Sequence, residues 1–235
     1  MTDLRRVYAE IPDDYETVNR VISLGMAGGW RRRMVRHAKK APGGRWLDMC
    51  TGTGETAILL ARTAPAGTRI IAADFSPDML HRLTVKPPAS DIPQTLADAI
   101  ELPFPAGCFQ LITTSFATRN LEEVPGGLNR VFREFYRVLA PGGLYVSIES
   151  SRPSHPVIDG LFRFFVAQVV ERTGRWISGA GRGYAYLSHS IRTFHGPERL
   201  AAMMQEAGFS RVTWHRVCLG AAAIHIAGRG DESER

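Results

Sequence analysis

Cysteine is scarce in this chain: three in 235 residues, Cys50, Cys108 and Cys218, with no C-x-x-C pair among them. An odd, scattered set argues against a disulfide framework and against a thiolate metal site, so no metal is expected, and it points to a reducing compartment. No run of about 18 apolar residues occurs, and nothing reads as a membrane-spanning helix. The N-terminal M-T-D-L-R-R-V-Y-A-E carries no apolar signal core, which together with the cysteines points to a cytoplasmic address. Two nucleotide motifs are also incomplete. The third glycine of a dinucleotide G-x-G-x-x-G is replaced by Ala57, and no lysine lies between Arg45 and Lys86 to complete a phosphate-binding loop. An apolar share of 44% leaves room for a full core and excludes a disordered chain.

What is present is organised around Trp46–Glu55, W-L-D-M-C-T-G-T-G-E. A short apolar strand ends near Asp48, bulky side chains vanish through Gly52, Thr53 and Gly54, and a helix-like run, Thr56–Thr63, follows at once. Strand, glycine turn and helix let backbone N–H groups approach a ligand closely. An acid four residues ahead of G-x-G suits a ligand with little negative charge and a cationic end, which describes S-adenosylmethionine. The plain alternative is a strand–helix turn with no ligand.

Strands and helices alternate beyond this point. Arg69–Ala73 reads as a buried strand ending at Asp74, and a helix opens at Ser76 as N-cap with Pro77 in its first position. Gln94–Ala97 is a weak strand leading to Asp98, and Cys108–Thr114 a stronger one ending at Ser115. Leu128–Leu139 has one apolar face, and Ala140-Pro141-Gly142-Gly143 turns the chain into strand Leu144–Glu149. This alternation predicts right-handed βαβ units and a parallel, doubly wound sheet. Val212–Val217 and Ala221–Ala227 lie too close for a crossover helix and must pair antiparallel. The predicted fold is therefore α/β: a class I methyltransferase, Rossmann-like sheet, mostly parallel with a C-terminal antiparallel hairpin strand. An N-terminal helical lid (1–45) and a helical insertion (152–196) flank the core (46–151). Residues 197–228 complete the sheet, and 229–235 read as a disordered tail.

Charge is uneven, with a net of +5 over residues 1–45, −3 over 46–151 and +4 over 152–235. Residues 8–40 read as two helices broken near Gly25–Gly29. The second carries a narrow stripe of Trp30, Met34, Val35 and Ala38 opposite Arg31, Arg32, Arg33, Arg36, Lys39 and Lys40. Such a helix suits a lid or a membrane surface, and the basic flanks suit nucleic acid, an anionic membrane, an acidic substrate or plain solvation. In the insertion, Pro156–Val170 is apolar nearly all round. It reads either as a buried helix or as the wall of a site for a greasy substrate, with Gly179–Gly183 as a hinge or flap.

Ligands of doubly wound sheets sit beyond the carboxyl ends of the strands. Asp74, 20 residues past Gly54, is placed to accept ribose hydroxyls, and Asp98 to accept from an adenine amino group with Ala99 leaving room for the ring. Asp48 and the N–H groups near Gly52 and Thr53 would hold an amino-acid end. Ser115–Asn120, S-F-A-T-R-N, follows the fourth strand, where a methyl acceptor would meet the donor. The [DN]-P-P-[YF] tetrapeptide of amino-methylating enzymes is missing there, which weighs against nucleic acid as the partner. Arg119 is either a surface arginine or a guanidinium that orients water or stabilises a phenolate.

With these residues in place, the chain resembles the ubiquinone/menaquinone biosynthesis C-methyltransferase family over roughly residues 8–228. The specific segments are Y-E-T-V-N-R-V-I-S-L-G with the following W-R-R, the R-N of S-F-A-T-R-N, and Y-A-Y-L-S-H-S-I. L-D-M-C-T-G-T-G-E, A-D-F-S-P-D-M-L and R-V-L-A-P-G-G are shared more widely. The resemblance implies S-adenosylmethionine-dependent methylation of a ring carbon of a prenylated hydroquinone such as demethylmenaquinol. It also implies cofactor contacts at Thr53, Asp74, Asp98, Ala99 and Ser115, with Gly54 and Phe75 in the same set. Arg119, acting through water, with Asn120 and Tyr15, is the catalytic set that it carries over. An isoprenoid tail would explain the apolar insertion and a peripheral contact with an anionic membrane at its inner face; a homodimer is left open. The chain departs from the family at Glu16, Glu55, Gln110, Ala117-Thr118 and Gly179–Gly183. These changes leave open a methyltransferase for another hydroxylated aromatic or lipid-like molecule. A reading of a different class is a non-catalytic basic membrane- or RNA-binding protein with a vestigial cofactor fold.

Overall fold

A computed structural model describes residues 20, 23–86, 91–170 and 194–230. Helix α1 (Ala27–Ala38) leads into β1 (Arg45–Met49), α2 (Glu55–Thr63), β2 (Arg69–Asp74), α3 (Pro77–Thr84) and β3 (Gln94–Leu96). Then come β4 (Phe109–Ser115), the single turn α4 (Thr118–Leu121), α5 (Gly127–Val138) and β5 (Leu139–Ser150). Helix α6 (Pro156–Phe165) runs on into a π-helical turn, Val166–Val170, and α7 (Pro197–Glu206), β6 (Arg211–Val217) and β7 (Ala222–Gly228) close the fold. The expected starts and stops have visible causes. Ser76 Oγ accepts from Met79 N (3.4 Å) with Pro77 at the first position of α3. In α5 the residues Leu128, Val131, Phe132, Phe135 and Val138 recur at helical spacing and are all buried.

The seven strands lie in the order β3-β2-β1-β4-β5-β7-β6. Strands β1 to β5 pair in parallel, while β7 runs antiparallel to both β5 and β6. From β1 the chain steps outward to β2 and β3, then returns to β4 on β1's other side. This reversal puts the switch point, where doubly wound sheets bind ligands, at the carboxyl ends of β1 and β4.

Two buried clusters cover the sheet faces. One joins Met34, Val35 and Ala38 of α1 and Leu60 of α2 to Trp46, Leu111 and Ile148. The other joins Phe132 and Phe135 of α5 and Met204 of α7 to Tyr145 and Phe209. Tyr145 is held by its hydroxyl to Thr114 Oγ1 at 2.8 Å, and burial pushes its pKa up to about 12.

Several expectations change. The break before α1 sits at Leu24 and Gly25, both at positive φ, and Gly28 and Gly29 belong to the helix. The α1 stripe is core after all, because Met34, Val35 and Ala38 pack on the sheet, while Trp30 and Arg31 near the helix start reach Phe116 and Ser115 at the end of β4. Leu139 leaves α5 one residue before its apolar spacing ends and opens β5 by pairing with Phe109. Gly143 permits the irregular start of that strand, since a Cβ there would sit 2.8 Å from the Ala140 carbonyl oxygen. Helix α6 is not a buried helix: none of its residues is buried, and Val157, Leu161 and Phe164 are each about two-thirds exposed. Tyr15, the Tyr184–Ile191 segment and Gly179–Gly183 lie outside the described residues.

Candidate active site

The loop after β1 is tied down from three sides. Thr51 Oγ1 donates to Asp48 Oδ2 (2.7 Å) and Thr113 Oγ1 of β4 donates to Asp48 Oδ1 (2.6 Å). Gly52 N donates to Asp74 Oδ2 (2.9 Å), and Lys86 Nζ donates to the Thr53 carbonyl (3.1 Å). Gly52 and Gly54 take positive φ, and a Cβ at Gly54 would run into Leu83, so the turn needs glycine on both conformational and steric grounds. Glu55 accepts from Thr53 Oγ1 (2.8 Å) and stands 3.7 Å from Lys86.

Asp48 therefore sits behind the loop rather than open to a ligand: it is 1% exposed, and both oxygens are engaged. Its expected contact with an amino-acid end becomes a positioning role, since a buried acceptor with two hydroxyl donors fixes the loop between β1 and β4. Burial raises its pKa to about 6, against the lowering effects of Thr113, Thr51 and the Arg31 charge. Burial also raises Asp74, opposed by the N–H groups of Ser76, Gly52 and Phe75. Burial drives the Cys50 thiol well above its ordinary value, and the carboxylates of Asp74, Asp48 and Asp98 push it further.

Beyond β2 and β3 lies a cleft of about 440 Å³ lined by Phe75, Ser76, Pro77, Asp78, Leu96, Ala97 and Asp98. It offers an aromatic ring, an exposed leucine and two carboxylates, apolar walls with acceptors at the edge that suit a purine ring. Asp98 is anchored by Ile100 N to Oδ1 (3.2 Å). Ala97 lines this cleft; Ala97 and Ala99 are both buried in the core cluster behind it.

At the end of β4, Ser115 Oγ accepts from Arg31 Nε of α1 (3.0 Å). Phe116 follows at φ +57°, a strained conformation for a non-glycine residue, and this turns its ring beneath the Arg31 guanidinium (5.4 Å) and beside Trp30 (6.1 Å). Arg119 and Asn120 lie on α4, 8% and 9% exposed. Arg119 Nη1 pairs with Glu149 Oε1 at 2.6 Å, and Glu149 also accepts from the N–H groups of Arg119 (3.2 Å) and Ser150 (2.7 Å). Glu149 closes β5 at 1% exposure. The surface-arginine reading of Arg119 fails, because its charge is buried and matched.

The structure thus brings Gly52, Thr53, Gly54, Asp74, Phe75, Asp98, Ser115, Arg119 and Asn120 to one end of the sheet, while Tyr15 falls outside the described residues. Two residues escaped sequence reasoning. Glu149 left a faint signal, as an acid closing an apolar strand in the same way as Asp74. Arg31 was visible only within the W-R-R segment and as one of six Lys and Arg residues in ten, with nothing to single it out.

Strand order, the reversed β7 and the β1/β4 switch point define the fold of a class I methyltransferase. Solved structures share it: a methyltransferase from Aquifex aeolicus (TM-score 0.61, 14% identity, 97% of this chain and 100% of that one) and a phosphoethanolamine N-methyltransferase from Haemonchus contortus (TM-score 0.66, 13% identity, 98% and 61%). The model of the ubiE/COQ5 methyltransferase family matches residues 2–229, and the chain belongs to that family. Among its relatives, the demethylmenaquinone methyltransferase of Thermus thermophilus is 39% identical over 225 residues, covering 95% of this chain and 100% of that protein. That of Deinococcus radiodurans is 36% identical over 225 residues (95% and 91%). The ubiquinone/menaquinone biosynthesis C-methyltransferase of Desulfotalea psychrophila is 32% identical over 222 residues (94% and 88%).

Proposed function

We propose that this protein transfers the methyl group of S-adenosylmethionine to a ring carbon of a prenylated hydroquinone, of the demethylmenaquinol type after which its relatives are named. The observation that carries the cofactor assignment is the glycine turn after β1, bonded through Gly52 N to Asp74 Oδ2 and continued by the cleft of Phe75, Leu96 and Asp98.

When bound, S-adenosylmethionine supplies an electrophilic methyl group on a positively charged sulfur. The chain's own residues do the rest. Asp74, already fixed by Gly52 and Ser76, presents its remaining lone pairs to ribose hydroxyls. Phe75, Leu96 and Asp98 shape the adenine cleft. The Arg119–Glu149 pair lies just beyond the end of β4, and Glu149 holds the guanidinium in place to serve the acceptor's hydroxyl. A guanidinium does not give up its own proton at neutral pH, so Arg119 acts as a donor that orients water or the developing phenolate, with Asn120 beside it. A second reading, another hydroxylated aromatic as acceptor, rests on Ala117 and Thr118 next to this pair.

An isoprenoid tail is bound by apolar surface, and α6 provides it: Val157, Leu161 and Phe164 fall at helical spacing, with Arg163 on the same helix. Among the described residues no helix is long and apolar enough to cross a membrane. Contact with an anionic membrane at the cytoplasmic face is therefore proposed as peripheral, through this helix. The test is incubation with methyl-labelled S-adenosylmethionine and short-chain demethylmenaquinol. Label in the quinol is expected; label confined to unprenylated phenols would favour the second reading, and no methyl transfer at all would reject the proposal.

A further inference from the structure

We propose that Arg31 is the residue that recognises the carboxylate of the methyl donor's amino-acid end, an inference that rests on the cofactor reading above. Arg31, Arg32, Arg33 and Arg36 all lie on α1, and the last three are exposed to solvent. Arg31 instead turns to the strand ends. Its Nε donates to Ser115 Oγ at 3.0 Å, and its guanidinium lies over the Phe116 ring. Its charge is felt at Asp48, so it stands at the β1/β4 switch point rather than at the adenine cleft.

The chemistry of the ligand calls for such a group. S-adenosylmethionine carries one anion, its carboxylate, and the nearest carboxylates at this end of the sheet, Asp48 and Asp74, cannot pair with it. A cation has to answer that charge. The other basic groups at this end are engaged: Lys86 with Thr53 and Glu55, and Arg119 with Glu149. Among the described residues Arg31 makes one hydrogen bond, through Nε, which leaves the Nη1 and Nη2 pair for a planar, two-point grip on a carboxylate. Ser115 and Phe116 aim it, the serine by accepting from Nε and the phenylalanine by supplying a flat face below the guanidinium. The positive φ of Phe116 is consistent with backbone strain held in place to give that support.

The experiment pairs a change in the protein with a change in the ligand. S-adenosylhomocysteine and its decarboxylated analogue are titrated calorimetrically into wild-type protein, Arg31→Met and Arg31→Lys, with thermal unfolding of each variant as a check on folding. The wild type is expected to bind the carboxylate-bearing ligand more tightly by roughly 10- to 100-fold. Arg31→Met is expected to lose that margin for S-adenosylhomocysteine while binding the decarboxylated analogue within about twofold of wild type. Arg31→Lys, which keeps the charge but not the fork, should fall between. Equal loss for both ligands would make Arg31 merely structural and overturn the inference, as would no loss for either. In the latter case a fall in turnover alone would place Arg31 against the acceptor. Wild-type protein that binds both ligands equally overturns this inference and leaves the cofactor reading standing; binding of neither would reject both.

Discussion

Arg119 illustrates what a single residue can mean once its partner is known. Removing it leaves Glu149, 1% exposed, as an unmatched buried charge, and breaking a buried pair in this way costs about 3–5 kcal/mol. Arg119→Ala is therefore expected to lose stability as well as turnover, so its lost activity alone would not identify a catalytic role. Arg119→Ala combined with Glu149→Gln is expected to recover most of the stability in denaturant unfolding without recovering turnover. A double variant that regains activity would reduce Arg119 to a structural group. The sequence placed Asp74, Asp98 and Ser115 because each ends a readable strand. It could not place Glu149 against Arg119, 30 residues away, or Arg31 against Ser115, 84 residues away, because neither contact leaves a local spacing signal. It also overstated Asp48, whose strand-end position is the expected one but whose oxygens are taken by Thr51 and Thr113.

Elements were legible where burial is one-sided. The α5 stripe and the strands β1, β2 and β4 follow their apolar patterns closely. Helix α6 did not follow its pattern, since an all-round apolar helix has no face that says which neighbour covers it. Its exposed face yields a prediction: Leu161→Asp with Phe164→Asp should weaken binding to anionic vesicles while sparing methylation of a short-chain acceptor. Unchanged vesicle binding would remove α6 from the membrane contact. The sheet carries a second prediction, in its pH dependence. Asp48 on β1 titrates at about 6 in the folded protein against 3.8 ordinarily. The native state thus holds the extra proton between those values, and stability falls by about 3 kcal/mol as pH rises from 4 to 6. His225 on β7 works in the opposite sense. Burial lowers it to about 4, its neutral ring bonds the Pro197 carbonyl (3.0 Å), and its contribution is lost as pH falls from 6.5 towards 4. The two largely cancel in the wild type. Asp48→Asn should therefore unmask a slope, with unfolding free energy dropping as pH is lowered from 6.5 to 4 relative to the wild-type curve. Parallel curves would contradict the assignment.

At the scale of the whole molecule, strand direction was the best-determined inference. Alternating strands and helices demand parallel crossovers, and a hairpin too short for a helix demands one reversed strand. Both constraints come from connection length, which a sequence displays directly. The acceptor is less legible, because it is recognised by contacts between segments far apart in the chain. A glycine turn tied to Asp74, a buried Arg119–Glu149 pair and an exposed apolar helix together make one claim about where the methyl group goes. Carbon-13 methyl-labelled S-adenosylmethionine, supplied with a short-chain demethylmenaquinol, reports this directly in the product spectrum. The expected product carries the label as a methyl group on a ring carbon of the prenylated quinol. Label found on an oxygen, as a methyl ether, or absent from the quinol altogether would contradict it.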